Sequence, residues 1–312
     1  MKIVFFSPGK NPQPWLDCLR AHLPAAEVWA WTAADVERQA DYAVLWTPPR
    51  ALFETQHQLK AIFNIGAGAD RITLLPDLSR LIKGAAIVRL NDAGMAVQMA
   101  EYVCHAVIRH TRDFATYDAQ QQVGEWKTLG EINRAAWPVG VMGIGAIGQR
   151  VAQSIAAFDY PVFGWSRTPK AIPGIATFAG QAGLDEFLAR VRVLVCALPL
   201  TPATEGILNR RTLAKLKAPG YLINVARGAH LVDADLIAML DSGVLAGATL
   251  DVFHEEPLAA THPFWHHPKI TVTPHISAIT LREESAAQIA QKIAALERGE
   301  VIEGIVSLEL GY

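Results

Sequence analysis

The run Val139-Gly-Val-Met-Gly-Ile-Gly-Ala-Ile-Gly148 constrains this chain more than any other. It reads as a short apolar strand that enters Gly143-x-Gly145-x-x-Gly148 and leaves as a helix. Such a strand–turn–helix unit buries its strand in a parallel sheet and packs the crossover helix against one face. The first glycine makes a tight turn, the second lets the backbone approach a diphosphate, and the third lets helix and strand pack closely. Ala146 and Ile147 then open a helix whose free N–H groups favour negative charge. The context predicts a dinucleotide site rather than an ordinary glycine-rich turn.

The same alternation runs through the rest of the chain. Lys2–Phe6, Glu27–Trp31, Tyr42–Trp46, Ala61–Ile65 and Ala86–Leu90 read as strands, with helical spacing at Trp15–His22 and Ala51–Gln58. Asp92 is placed as the N-cap of a long apolar helix over Met95–His110, and the polar stretch 111–136, with the exposed-looking Trp126, follows. A second series then has strands near Val139–Gly143, Val162–Trp165, Val193–Ala197, Gly220–Val225, Ala248–Val252 and Ile270–Thr273, and a last helix near Arg282–Glu297. With 312 residues, two cores are expected. The reading is α/β: two doubly wound parallel-sheet domains, a Rossmann cofactor domain (101–284) inserted into a flavodoxin-like substrate domain (1–100 plus 285–312).

The strand after the fingerprint ends in Trp165-Ser166-Arg167-Thr168. An NAD enzyme places an acid there to hold the ribose 2′-hydroxyl; here an arginine lies between two hydroxyls, which suits the 2′-phosphate of NADP(H) over NAD(H). Leu198 and Pro199, beyond the strand at Val193–Ala197, and Asp251 complete the expected cofactor set. Ile65-Gly-Ala-Gly-Ala-Asp70 also follows a strand but lacks a third glycine, so it reads as a small-anion turn and not a second nucleotide site.

Three further strands end in polar residues: Leu222-Ile-Asn-Val-Ala-Arg-Gly228, Leu250-Asp-Val-Phe-His-Glu-Glu-Pro257 and Thr271-Val-Thr-Pro-His-Ile-Ser-Ala278. Ligands of open α/β sheets bind outside the carboxyl ends of strands. Arg227 offers a bidentate fork for a carboxylate, and His275 can protonate a carbonyl oxygen as hydride reaches the carbon, with a nearby glutamate favouring the imidazolium. Each residue alone is more often structural; their joint placement after the fingerprint is the signal.

Composition narrows the partners. A net charge of −2 without a basic block argues against nucleic acid or an anionic membrane surface as main partner. Cys18, Cys104 and Cys196 are dispersed, which fits buried reduced thiols and predicts no metal site. No long apolar run or signal-like start occurs, so a cytoplasmic protein is expected.

Gly66-Ala-Gly68-x-Asp70, Gly143-x-Gly-x-x-Gly148, Asn224-Val-Ala-Arg-Gly228, Asp251-Val-Phe-x-x-Glu-Pro257 and Thr273-Pro-His275 stand in an order that resembles the D-isomer-specific 2-hydroxyacid dehydrogenases over nearly the whole chain. Trp46-Thr-Pro-Pro49, Trp165-Ser-Arg-Thr168 and the terminal Gly311-Tyr312 are similar to its glyoxylate- and hydroxypyruvate-reducing branch. The resemblance implies Arg227 as substrate anchor, His275 as proton donor, and Glu256, the acid directly before proline, as its partner. It also implies that backbone amides near Ala67 and Gly68 hold the substrate carboxylate. A homodimer is expected, with 111–136 in the dimerisation element. The missing acid at Arg167 departs from most of the family and fits NADPH-driven reduction of a small 2-oxo acid. Trp46 either walls the substrate pocket or fills the core at a strand end. A reductase of bulkier acids such as phenylpyruvate, and a nucleotide-sensing regulatory protein, stay open as alternatives.

Overall fold

A computed structural model describes residues 1–9 and 11–311; Tyr312 of the terminal pair lies outside the described residues. Two compact units are present, Met1–Met95 with Thr280–Tyr312, and the intervening Ala96–Ile279.

The first unit is built on five parallel strands: β1 (Lys2–Phe6), β2 (Glu27–Ala30), β3 (Tyr42–Leu45), β4 (Ala61–Asn64) and β5 (Ala86–Arg89), in the order β2-β1-β3-β4-β5. Helices α1 (Gln13–His22), α2 (Arg50–Thr55), α3 (Asp70–Thr73) and α4 (Leu78–Ile82) follow these strands. Strand order reverses between β1 and β3, so Trp46, directly after β3, stands at the switch point where such sheets bind ligands. The core joins Val4, Ala43, Leu45, Ile62 and Ile87 from the sheet to Leu52, Phe53 and Ile72 from the helices.

The second unit begins with α5 (Met95–Thr111) and α6 (Phe114–Val123). Its sheet has seven parallel strands: β6 (Val139–Met142), β7 (Val162–Ser166), β8 (Ala176–Ala179), β9 (Val193–Cys196), β10 (Gly220–Asn224), β11 (Leu245–Leu250) and β12 (Ile270–Val272). Their order, β12-β11-β10-β9-β6-β7-β8, turns about β6. Helices α7 (Ala146–Ala156), α8 (Gly180–Arg190), α9 (Arg210–Leu213) and α10 (Asp233–Asp241) lie among them, and α11 (Arg282–Glu297) belongs to the first unit.

The unbroken apolar runs follow from burial on both faces. Val139, Val141, Val193, Val195 and Ile223 point to one side, onto Met99, Val103 and Val107 of α5 and Val151 and Ile155 of α7. Their neighbours Met142, Leu194, Cys196 and Leu222 point to the other, onto Leu184, Phe187 and Leu188 of α8 and Leu236 and Leu240 of α10. The two-residue period of a strand thus distributes one sequence run between two cores.

Both domains are therefore of the expected parallel doubly wound type. Asp92 sits at φ +64°, three residues before Met95, and its backbone carbonyl accepts from the Met95 N–H. Three local expectations differ. Strand β8 escapes notice because Ala-Thr-Phe-Ala at a sheet edge carries no apolar run. Helix α6 lies within the stretch read only as polar, where no helix was placed; Gln120 is its one buried residue, so there is little apolar period to detect. Cys18 is not buried: its thiol donates to Glu283 of α11 at 2.9 Å, and partial burial and that carboxylate push it up to about 11. Among the described residues, no helix is long and apolar enough to cross a membrane, and no cluster of side chains is arranged to hold a metal ion.

Candidate active site

The residues expected to act together in the second unit lie along one sheet edge, in strand order. Beyond β12 comes His275, beyond β11 Glu256, beyond β10 Arg227, beyond β9 Leu198 and Pro199, beyond β6 the glycine turn, and beyond β7 Arg167. Adjacent strands are about 4.8 Å apart, so the strand of Arg227 is roughly 10 Å from that of the glycine turn.

The glycine turn is held by close approach. Gly143 has φ +96°, and a Cβ there would meet the Ala197 carbonyl oxygen at 2.5 Å. A Cβ on Gly148 would stand 1.9 Å from the Gly143 oxygen, so α7 can rest on the turn only with glycine at this position. Gly145 faces open space, and Ala146 beside it is exposed at the first turn of α7, with Ile147 half-buried. Backbone N–H groups at the start of this 11-residue helix therefore face room for a diphosphate. Next to it, the Gly143 N–H donates to Trp165, tying the turn to the end of β7. There Ser166 is buried and its hydroxyl donates to the Thr168 carbonyl at 2.7 Å, while Arg167 and Thr168 are exposed. The cation and one hydroxyl thus front this corner; the proton of the other hydroxyl is used to shape the loop.

Arg227 is positioned by its own turn. Asn224, fully buried at the end of β10, donates to the Arg227 carbonyl at 3.0 Å and accepts from the Ala226 N–H at 3.2 Å. Gly228 then passes so close to the next loop that a Cβ would stand 1.9 Å from the Phe253 carbonyl carbon. That approach brings the Arg227 loop against the loop carrying Glu256.

Glu256 accepts from the Phe253 N–H at 3.0 Å through Oε1 and faces His275 Nδ1 at 2.7 Å through Oε2. Burial raises its pKa, but the His275 hydrogen bond, the Phe253 N–H and the charges of His275 and Arg227 outweigh it and hold the carboxyl below its ordinary range. Because a carboxylate only accepts, Nδ1 carries the hydrogen and Nε2 is the nitrogen His275 presents outward. The ring is about a third exposed, at 36%. His275 sits at φ +56°, a costly conformation for a non-glycine residue. Asp251 maintains it: fully buried, it accepts from Thr273 Oγ1 at 2.5 Å, Ile276 N–H at 2.9 Å and Ser277 N–H at 2.8 Å. Asp251, expected among the cofactor residues, also clamps the His275 loop.

In this unit His230 was not anticipated. His230 is fully buried, with Nδ1 3.1 Å from the Arg227 carbonyl and Nε2 3.3 Å from that of Pro199, joining the arginine loop to the strand end beyond β9. Nothing in a lone histidine after Arg-Gly-Ala distinguishes it from a surface residue.

In the first unit, the Trp46 ring lies against Gly66, where a Cβ would meet it at 2.3 Å. Trp46 is half-buried, as are Ala67 and Gly68, so it is neither a core tryptophan nor remote from the small-residue turn.

Comparison with known proteins finds likenesses in both sequence and structure. A family profile described as D-isomer specific 2-hydroxyacid dehydrogenase, NAD binding domain, matches residues 104–277. A relative named glyoxylate/hydroxypyruvate reductase A, from Serratia proteamaculans, is 45% identical over the full length of both chains. A D-isomer specific 2-hydroxyacid dehydrogenase from Xanthobacter autotrophicus, solved with NADPH and MES, superposes with a TM-score of 0.93 at 37% identity, covering 100% of this chain and 99% of that one. An NADPH-dependent glyoxylate/hydroxypyruvate reductase from Sinorhizobium meliloti, solved with NADP and sulfate, gives 0.92 at 36% identity over 100% and 99%.

Proposed function

The chain belongs to the D-isomer specific 2-hydroxyacid dehydrogenase family, an enzyme family, and on that premise we propose that it reduces small 2-oxo acids with NADPH: glyoxylate to glycolate and hydroxypyruvate to D-glycerate. Each turnover converts a 2-oxo acid, NADPH and one proton into a 2-hydroxy acid and NADP⁺. Arg227 grips the substrate carboxylate with its planar fork. His275 donates a proton from Nε2 to the carbonyl oxygen as negative charge develops there. Glu256 stabilises the imidazolium through Nδ1, and the partly exposed ring regains its proton from solvent. Bound NADPH supplies the hydride. The residues suited to hold it are the Gly143–Gly148 turn, the start of α7, Leu198 and Pro199, with Arg167 and Thr168 at the 2′-phosphate.

The observation that carries this reading is the Glu256–His275 pair at 2.7 Å, on the first and second strand ends along from that of Arg227 and on the same edge as the glycine turn. Relatives solved with NADPH or NADP support the choice of cofactor. The test is a panel of NADPH and NADH oxidation rates with glyoxylate, hydroxypyruvate, pyruvate and phenylpyruvate. Glyoxylate and hydroxypyruvate with NADPH should lead by at least about tenfold in kcat/KM. A lead for phenylpyruvate would move the substrate to bulkier acids; tight NADPH binding without turnover would make the protein a nucleotide sensor. We also assign stretch 111–136 to a homodimer contact, since Trp126 is 99% and Val123 77% exposed; sedimentation of a monomer would refute it.

A further inference from the structure

Asn64 ends β4, where its backbone pairs between Leu45 and Arg89 and its side chain is completely buried. Its Nδ2 lies 3.0 Å from the Gly66 carbonyl and 2.7 Å from the Gly68 carbonyl. Two carbonyl oxygens can only be met by the NH₂ end, which settles the orientation of the amide. Oδ1 is left buried without a partner. A leucine or valine here would avoid that desolvation, as every other β4 side chain but this one is apolar, so the amide is retained against a local cost.

The consequence lies in the peptide planes. In a trans peptide the C=O and the following N–H point in opposite directions. Drawing the Gly66 and Gly68 oxygens inward onto Asn64 therefore turns the N–H groups of Ala67 and Ala69 away from it. Neither donates to a protein acceptor among the described residues. Asn224 does the same kind of work in the other unit, closing the turn that carries Arg227, although there both ends of the amide are satisfied. The Trp46 ring against Gly66 and the Thr280 hydroxyl on the Ile65 carbonyl at 2.9 Å further restrict the turn.

We propose that Asn64 is a positioning residue for substrate: it orients the 66–69 backbone so that the Ala67 and Ala69 N–H groups receive the carboxylate of the 2-oxo acid. The inference rests on the reductase reading above and deepens it, since it names the side chain that makes a bare backbone turn select a carboxylate. A carboxylate is unchanged by the reaction, so these donors hold ground state and transition state alike, and their loss should appear in KM rather than in kcat.

The experiment pairs Asn64→Leu, close in size but without a donor, with Asn64→Thr, which suits a strand end and keeps one hydroxyl donor. Glyoxylate kinetics, the Kd of oxamate as a non-reacting carboxylate, the Kd of NADPH and the melting transition are measured for each, with crystals of the wild-type oxamate complex. Asn64→Leu should raise the glyoxylate KM and the oxamate Kd by about 10- to 100-fold, with kcat within about threefold and NADPH binding unchanged. Asn64→Thr should fall between Asn64→Leu and wild type, and it carries the test if Asn64→Leu does not fold. Unchanged KM with oxamate seated on the 67–69 backbone overturns the proposal while leaving the reductase reading intact. Parallel losses in KM, kcat and NADPH affinity overturn it by making Asn64 merely structural. Oxamate bound in the wild type away from this turn removes the carboxylate assignment, and the proposal with it.

Discussion

Replacing Glu256 by glutamine isolates what its charge contributes. The carboxylate accepts at both oxygens at once, from the Phe253 N–H at 3.0 Å and from His275 Nδ1 at 2.7 Å. Glutamine has one acceptor oxygen. If it serves Phe253, the amide NH₂ meets Nδ1, which then has to give up its hydrogen; if it serves His275, the NH₂ confronts a backbone N–H. Either way one contact fails and the imidazolium loses its counter-charge. A charge-assisted hydrogen bond contributes about 1.5–3 kcal/mol, and the 25% exposure of Glu256 favours the lower part of that range. Taking about 2 kcal/mol, kcat should fall about 30-fold in steady-state NADPH oxidation with glyoxylate, while KM changes little because Glu256 does not touch substrate.

Stability supplies the second readout of the same variant. The Glu256 carboxyl is held below its ordinary pKa, so its ionised form stabilises the fold above the usual carboxylate range. That contribution is lost as pH falls through the depressed value. Wild type should therefore melt above Glu256→Gln near neutrality, and the gap should close in acid. A kcat within twofold of wild type, or a gap that widens on acidification, would refute the reasoning.

Other perturbations reach different parts of the site. Arg167→Asp puts a carboxylate where the 2′-phosphate of NADPH is proposed to lie, and should lower the NADPH-to-NADH ratio of kcat/KM by about 10²- to 10³-fold; an unaltered ratio means the phosphate is held elsewhere. Gly228→Ala places a Cβ 1.9 Å from the Phe253 carbonyl carbon and 2.3 Å from the His254 nitrogen, backbone atoms that cannot rotate aside. It should cost about 3 kcal/mol of stability and separate the Arg227 loop from the Glu256 loop, with activity lost even where the protein folds; normal kinetics would show that the loops tolerate the shift.

How much of this was legible beforehand varied with the physics. Strands such as Val193–Cys196 announce themselves because burial on both faces leaves an unbroken apolar run. Strand β8 and helix α6 do not, since an edge strand of small residues and a mostly exposed helix carry no strong period. Arg227, His275 and the Glu255–Glu256 pair were readable because each follows an apolar strand, and the strand ends of a parallel sheet share one edge; the choice of Glu256 came from the family resemblance. Asn64 and His230 were not. A single asparagine or histidine beside a glycine is equally consistent with a surface turn, and only the carbonyl oxygens around their side chains distinguish them. Asp251 has a role its position past a strand did not reveal: three donors of the 273–277 loop surround its carboxylate.

Single-turnover NADPH oxidation by His275→Gln, mixed with saturating glyoxylate, addresses the chemistry most directly because it separates hydride transfer from binding and release. Hydride transfer should slow by about 10²- to 10⁴-fold while the variant binds NADPH as wild type does. A rate within threefold of wild type would mean that the proton reaches the substrate from another group, and that the Glu256–His275 pair is not the acid of this reaction.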